Sequence, residues 1–200
     1  MNDAKVLRAY AARAAAYTTL FGSLDDLHEL DRQCIQRWAE QVTGRVIDAG
    51  CGPGQWTDFL HGQGVDITGI DLVPDFINSA RIRFPGVPFQ LSSLRSLDIA
   101  DGELGAVLAW YSLIHIPPAE LPHVLRELAR VLSASGRLLI AFFAGESMEP
   151  FDHAVTTAYY WSVPQLTSLL QDAGFDVLDV ETRHDPDSRP HAAISATVRF

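Results

Sequence analysis

The stretch Val46-Ile47-Asp48-Ala49-Gly50-Cys51-Gly52-Pro53-Gly54 (VIDAGCGPG) runs from an apolar segment into three glycines at alternate positions. Glycine tolerates positive φ angles and allows the backbone to approach another group closely. A glycine-rich turn between a strand and a helix is typical of a ligand-binding loop. We therefore expect this loop to bind a ligand.

Apolar segments and helical patterns alternate on both sides of the loop. Residues 45–48 predict a buried parallel strand, 55–62 a helix and 65–71 a second strand. The further predicted elements are a helix at 74–84, strands at 87–92 and 104–111, a helix at 119–132, a strand at 137–143, a helix at 162–174 and strands at 175–182 and 192–200. Gly136 is expected to separate helix 119–132 from the strand that follows. This alternation predicts a doubly wound α/β fold.

Composition limits the classes of protein to consider. The chain has 200 residues, is 48% hydrophobic and contains no linker-like stretch, which predicts a single domain. No apolar run approaches the roughly 20 residues that span a bilayer. The N-terminus is charged where a signal peptide is apolar, so we expect a cytoplasmic protein with no membrane partner.

Charge and cysteine content exclude further classes. The net charge of −10 opposes binding to a phosphate backbone, and no cluster of Lys and Arg suggests a local exception, so we expect no nucleic-acid partner. Cys34 and Cys51 fit neither a disulfide framework nor a zinc spacing. We expect no metal site.

The glycine spacing and a distant carboxylate indicate the type of ligand. A dinucleotide-binding G-x-G-x-x-G motif is not matched, because the third glycine, Gly54, comes one residue early. Asp71 ends the second predicted strand, about 20 residues after the loop, where a carboxylate can accept hydrogen bonds from both hydroxyls of a ribose. The ligand is expected to contain a nucleoside.

A strand ending in Asp-x-Gly-x-Gly-x-Gly at 48–54, followed by Asp71, resembles the class I S-adenosylmethionine-dependent methyltransferases. The resemblance extends from about Val46 to the C-terminus. It implies a seven-stranded Rossmann-like sheet, mostly parallel with an antiparallel last strand. It also implies S-adenosylmethionine as the cofactor and S-adenosylhomocysteine as the product.

The resemblance also implies roles for individual residues. The loop glycines Gly50, Gly52 and Gly54 would hold the methionine part of the cofactor through backbone groups, and Asp48 would orient the loop. Asp71 would bind the ribose. Leu72 would pack on the adenine.

Five further positions differ from the family pattern or add to it. Many relatives carry an acidic residue for the adenine amino group where this chain has Ser93, so the backbone at Leu94 is expected to make that contact. Trp110 matches the position beside the sulfonium, where a cation over an indole gains roughly 0.5 to 2 kcal/mol. Trp56 and Tyr17 are additional cofactor candidates, with packing as the alternative role.

We divide the single domain by expected role. Residues 1–44 are an N-terminal helical lid, 45–143 the cofactor-binding half, 144–162 a lid loop, and 163–200 the C-terminal helix and strands. The segment 144–162 is too long and aromatic for a simple connection, which predicts a functional loop over the site.

Acceptor-side residues are sought after the fourth strand and in the lid. A neutral His115 could take a proton from an acceptor hydroxyl or amine, with structural packing as the alternative. Glu146 and Glu149 could receive a cationic acceptor, with surface solvation as the alternative. The lid residues that could shape an acceptor pocket are His153, Tyr159 and Tyr160.

These patterns predict methyl transfer from S-adenosylmethionine to an oxygen or nitrogen of a small-molecule acceptor. The end of the fourth strand lacks the Asn/Asp-Pro-Pro-Tyr motif of DNA amino-methylating enzymes and the acidic ligand of magnesium-dependent catechol-type relatives. Two alternatives stay open: an NAD-dependent Rossmann oxidoreductase and a non-catalytic protein that binds S-adenosylmethionine.

Overall fold

The computed structural model describes residues 3–14, 18, 28–186 and 188–199. Tyr17, one of the predicted cofactor residues, lies outside these ranges. Within these ranges, the helices α1 (Asp3–Ala11) and α2 (Glu29–Ala39) precede the sheet. In the described parts of the chain, no helix has the length and apolar character needed to cross a membrane.

Seven strands and four further helices build the α/β core. The strands of the main sheet are β1 (Val46–Ala49), β2 (Ile67–Asp71), β3 (Phe89–Leu91), β4 (Leu104–Trp110), β5 (Leu132–Phe143), β8 (Phe175–Arg183) and β9 (His191–Val198). The helices are α3 (Gln55–Gly62), α4 (Pro74–Arg83), α5 (Leu121–Val131) and α6 (Val163–Asp172). The strand order is β3-β2-β1-β4-β5-β9-β8.

Strand direction places the ends of six strands at one edge. Strands β1 to β5 pair in parallel, whereas β9 runs antiparallel to both β5 and β8. Phe143 at the end of β5 therefore pairs with His191 at the start of β9. The predicted seven-stranded sheet, mostly parallel with an antiparallel last strand, is confirmed.

The helices cover the sheet with the apolar faces that their sequences predict. In α4, Phe76, Ile77 and Ala80 are buried. In α6, Ser162 and Gln165 form the predicted capping box. Helix α5 buries the side chains that recur at helical spacing: Leu121, Val124, Leu125, Leu128 and Val131.

The boundary between α5 and β5 differs from the prediction. Gly136 was expected to separate the two elements, but β5 already begins at Leu132. Leu104 pairs with Leu132 and Ala106 with Arg137, so the residues between form a bulge in which Ser135 has a φ of 62°. Because a bulge admits extra residues into a strand, Gly136 lies inside β5.

The segment predicted as a lid loop contains a β-hairpin. Strands β6 (Glu149–Asp152) and β7 (Thr157–Tyr160) pair antiparallel in a separate two-stranded sheet. Pairing satisfies backbone groups that a long open loop would leave to water. The Tyr159 N–H also donates to the carbonyl of Ile114, 3.0 Å away, so the hairpin is attached to the segment after β4.

Candidate functional site

The glycine loop turns sharply between β1 and α3. Gly50, Gly52 and Gly54 all have positive φ angles, of 82°, 54° and 89°. A Cβ atom on Gly50 would lie 2.3 Å from the Cβ of Ser112, a distance that carbon atoms cannot adopt. Only glycine therefore fits at position 50, because the loop packs directly against the segment after β4.

Asp71 connects the end of β2 to this loop. One carboxylate oxygen accepts the Gly52 N–H at 2.9 Å and the other accepts the Val73 N–H at 2.8 Å. Burial raises the pKa of Asp71 to about 6, against the effect of these hydrogen bonds. The group is therefore ionised at neutral pH, and both oxygens keep capacity for further hydrogen bonds.

A cavity opens beside the loop at the carboxyl edge of the parallel strands. We call it the glycine-loop cavity. Its described lining residues are Val6, Tyr10, Gly50, Gly52, Asp71, Leu72, Val73, Phe76, Ser93, Leu94, Arg95, Trp110, Tyr111, Ser112, His115 and Ile116. Seven of the eleven predicted cofactor residues are in this set, as is His115. The structure thus brings together residues from β1, β2, β3 and β4 that are distant in sequence.

Three predicted cofactor residues are not among the described residues that line this cavity. Asp48 lies beneath the loop, where its carboxylate accepts the Thr57 hydroxyl at 2.7 Å and burial raises its pKa to about 7. Gly54 begins α3 in a left-handed conformation. Trp56 packs edge-on against Trp110, with 6.3 Å between ring centroids. All three therefore support the loop or the cavity wall from behind.

His115 connects three parts of the chain. Its Nδ1–H donates to the carbonyl of Thr157 at 2.8 Å, because a carbonyl can only accept. Its Nε2 consequently accepts the hydroxyl of Tyr10 at 2.9 Å. Burial lowers the pKa of His115, so the ring is neutral at pH 7. The imidazole therefore hydrogen bonds to both α1 and the hairpin, and His115 and Tyr10 both line the glycine-loop cavity.

The predicted lid residues His153, Tyr159 and Tyr160 lie in the hairpin formed by β6 and β7. None of them is among the described residues that line the glycine-loop cavity. The His153 ring is 5.1 Å from the ring of His115, and burial lowers its pKa to about 4. The Tyr160 hydroxyl accepts the Nε–H of Arg189 at 3.1 Å. Glu146 and Glu149 are exposed, and the Ser147 hydroxyl donates to Glu149 at 2.9 Å.

A second cavity, which we call the side cavity, adjoins the first. Its described lining residues are His28, Tyr111, Phe143, Arg183, Asp185, Ser188, Arg189 and His191. Tyr111 lines both cavities and has a φ of 56°, an uncommon angle for a side chain of this size. No pattern in the sequence predicted this cavity.

Tyr111 begins a series of polar contacts along the side cavity. Its hydroxyl hydrogen bonds to Nδ1 of His191. The other ring nitrogen of His191 is 3.9 Å from Asp31, which accepts Arg183 at 2.6 Å. Burial raises the pKa of Tyr111 and lowers that of His191. Tyr111, as an aromatic residue directly after Trp110, was the one feature of the sequence that could have indicated this series of contacts.

Comparison with known proteins agrees with this geometry. A family model described as a methyltransferase domain matches residues 46–136, which include the glycine loop and Asp71. A malonyl-[acyl-carrier protein] O-methyltransferase from Erwinia billingiae is 26% identical over 158 residues, which cover 77% of this chain and 59% of that protein. The chain spans less than two thirds of that relative's length.

Solved structures share the whole fold. Magnesium protoporphyrin IX methyltransferase from Synechocystis, with bound S-adenosylmethionine, superimposes with a TM-score of 0.77 and covers 100% of this chain and 98% of its own at 17% identity. A didemethyltoxoflavin N1-methyltransferase from Burkholderia thailandensis, with bound S-adenosylhomocysteine, gives 0.71 over 97% and 91% of the two chains at 22% identity.

The sheet order and the glycine loop define a Rossmann-like α/β fold, with a cavity at the carboxyl edge of its parallel strands. Residues 46–136 match a methyltransferase domain, and the fold around them is that of S-adenosylmethionine-dependent methyltransferases. These matches support the predicted family and its cofactor, S-adenosylmethionine.

Proposed function

We propose that this protein transfers the methyl group of S-adenosylmethionine to an oxygen or nitrogen of a small-molecule acceptor. The observation that carries the proposal is the glycine-loop cavity, which brings the backbone of Gly50 and Gly52, the carboxylate of Asp71 and the indole of Trp110 to one place. A hydrogen-bonding backbone, a ribose acceptor and an aromatic face are the groups that this cofactor needs.

Each part of the cofactor has candidate partners in this cavity. Asp71, held by its two backbone hydrogen bonds, accepts the ribose hydroxyls. Leu72 and Leu94 lie where the adenine is expected. Ser93 lies beside Leu94 in the segment that follows β3. Trp110 offers its indole face to the sulfonium, which is worth roughly 0.5 to 2 kcal/mol.

The fit of the cavity to such a ligand has independent support from Ser112. Its hydroxyl is buried, lines the cavity beside Gly50, and has no hydrogen-bond partner among the described residues. An unsatisfied buried polar atom is costly, at about 1–3 kcal/mol. A bound ligand with a polar group at this position would relieve that cost.

The bound cofactor supplies an activated methyl group, and the acceptor attacks this group in line. An acceptor hydroxyl or amine must then lose a proton. We assign this step to His115 acting through Tyr10. The acceptor proton passes to the Tyr10 oxygen while the Tyr10 proton passes to Nε2 of His115, along the 2.9 Å hydrogen bond between them. Burial, which keeps His115 neutral, leaves Nε2 able to accept.

The names of similar proteins support a small-molecule acceptor. The relatives and solved structures act, by their names, on malonyl-[acyl-carrier protein], magnesium protoporphyrin IX and 1,6-didemethyltoxoflavin. We propose an acceptor of comparable size that enters through the side cavity, because Tyr111 forms the wall that the two cavities share.

Calorimetric titration with S-adenosylmethionine, S-adenosylhomocysteine and NAD tests the cofactor site. We expect micromolar affinity for the first two, at least about tenfold weaker binding in Asp71→Asn because hydrogen bonds to a charged group are lost, and no change in the exposed control Asp66→Asn. Binding of NAD alone, or of none of the three, would refute the proposal. Tight cofactor binding without turnover over a broad acceptor panel would support the non-catalytic alternative.

A further inference from the structure

Arg189 is held in a fixed orientation at the side cavity. Its Nε–H donates to the Tyr160 hydroxyl at 3.1 Å. Its guanidinium carbon lies 4.7 Å from the centre of the Phe151 ring and 5.9 Å from that of Phe143. Stacking and one hydrogen bond together restrict a side chain that is otherwise flexible. The guanidinium is therefore oriented before any ligand binds.

The outer end of this guanidinium has no protein partner among the described residues. Neither terminal NH₂ group forms a hydrogen bond there, and no carboxylate lies within ion-pair distance. The neighbouring Arg183, in the same cavity, is by contrast bonded to Asp31 and Asp185, each at 2.6 Å. An arginine with two parallel donors and no anion partner is suited to bidentate recognition of a carboxylate.

We propose that Arg189 binds a carboxylate of the methyl acceptor, and that the acceptor is a planar hydroxy or amino acid of aromatic type. The inference rests on the proposed function and names its substrate class. The carboxylate would occupy the two terminal NH₂ groups of Arg189, and the flat body of the acceptor would lie along Phe143.

The spacing of the rings sets the position of the reacting group. The Phe143 ring centre lies 5.9 Å from the guanidinium carbon of Arg189 and 5.0 Å from the centre of the Tyr111 ring. Tyr111 is the residue that the two cavities share. An acceptor anchored at Arg189 and stacked on Phe143 therefore directs its opposite end, which carries the hydroxyl or amine, to Tyr111 and the glycine-loop cavity.

Charge favours this arrangement over a cationic acceptor. The chain as a whole carries −10, so an anionic ligand needs a specific local cation, and Arg189 is one. Glu146 and Glu149, the groups that a cationic acceptor would use, are exposed and do not line either cavity as described. Arg189 is exposed as well, but unlike these two carboxylates it lines the side cavity.

The test compares acids with their primary amides. Isomers of hydroxybenzoate and hydroxycinnamate, the corresponding amides, and tyramine as a cationic probe are titrated by calorimetry into protein saturated with S-adenosylhomocysteine. We expect at least one acid to bind about tenfold more tightly than its amide, as for a charge-assisted pair that is partly exposed. The difference should disappear in Arg189→Met and persist in part in Arg189→Lys.

Arg126→Met is the matched control, because Arg126 is an exposed arginine on α5 whose Nε–H donates only to the Pro122 carbonyl. It should retain the full preference for acids. Equal binding of acids and amides, no binding of any acid, an unchanged preference in Arg189→Met, or preferred binding of tyramine would each overturn the proposal.

Failure of this inference is separable from failure of the proposed function. Arg189→Met should bind S-adenosylmethionine as tightly as the unmodified protein, since Arg189 is not among the residues that line the glycine-loop cavity. If no variant binds the cofactor, the proposed function fails. The acid and amide titrations, repeated without S-adenosylhomocysteine, still report on Arg189.

Discussion

Replacing Gly50 by alanine tests how the glycine loop packs against the segment after β4. The new Cβ atom would lie 2.3 Å from the Cβ of Ser112 and 3.5 Å from its Cα. Position 50 also has a φ of 82°. The substitution therefore has two costs, a backbone strain and a steric overlap, and a control residue can separate them.

Gly64 is that control, because it has a φ of 85° and no heavy atom within 4 Å of the position of a Cβ. Gly64→Ala should cost only the left-handed strain, about 1–2 kcal/mol. Gly50→Ala adds overpacking of about 1–3 kcal/mol. Against a total stability of roughly 5–15 kcal/mol, a loss of about 2–5 kcal/mol in Gly50→Ala is easily measured by urea unfolding of the cofactor-free protein.

Ser112→Gly completes a double-mutant cycle. It removes the overlapping Cβ, after which the nearest atom of residue 112 is at an ordinary contact distance. In the Gly50→Ala background it should remove the overpacking cost and so recover about 1–3 kcal/mol of stability, which is the coupling between the two sites. A Gly50→Ala variant no less stable than Gly64→Ala, or a coupling of zero, would show that the loop does not pack against Ser112 as the structure has it.

Three further outcomes follow from the site and its supports. Cofactor affinity should fall as the pH drops through about 6, where Asp71 takes up a proton, and Asp71→Asn should abolish this dependence in calorimetry. The contribution of Asp71 to the stability of the cofactor-free protein has the opposite sign. Its folded pKa lies above the ordinary value of 3.8, so the folded state binds the proton more tightly and this contribution increases as the pH falls from about 6 towards 4. His115→Ala should lower kcat by more than about tenfold, the lower range for loss of a general base, with an unchanged cofactor Kd; a smaller loss with intact structure would remove its assignment. Ser162→Ala should cost about 1 kcal/mol in thermal unfolding through loss of the α6 cap, while Ser168→Ala, inside the same helix, should not destabilise it.

The sequence predicted the parts of the site that depend on local pattern. A strand, a glycine loop and a helix occupy adjacent positions, so the geometry around Gly50 and Gly52 follows from about ten residues. Asp71 was predictable because strand ends in a parallel sheet meet at one edge. The structure also placed Trp110 and His115 at the same cavity, since Trp110 ends β4 and His115 lies in the segment after it.

Other positions were not predictable because their surroundings come from distant segments. Nothing near Gly54 in sequence indicates that it faces Phe89, with a Cβ position 2.7 Å from that ring, and not the cavity. Trp56 is one helical turn from the loop, yet it packs behind Trp110. The pairing of β6 with β7 depended on hydrogen bonds that aromatic content alone does not indicate.

The antiparallel strand β9 explains why the sequence pattern did not indicate Arg189, for which we propose acceptor binding. Because β9 runs opposite to β5, its first residue, His191, lies beside the last residue of β5, Phe143, at the edge where the cofactor loop ends. The segment that enters β9 therefore delivers Arg189 to the site, although it is more than a hundred residues from the glycine loop. The residues that we propose to bind the cofactor lie in the other half of the sheet, at or just after the ends of β1, β2 and β4. Substitutions in the segment before His191 can consequently change which acceptor is bound while the cofactor site stays intact, and this separation is what the comparison of Arg189→Met with Asp71→Asn measures.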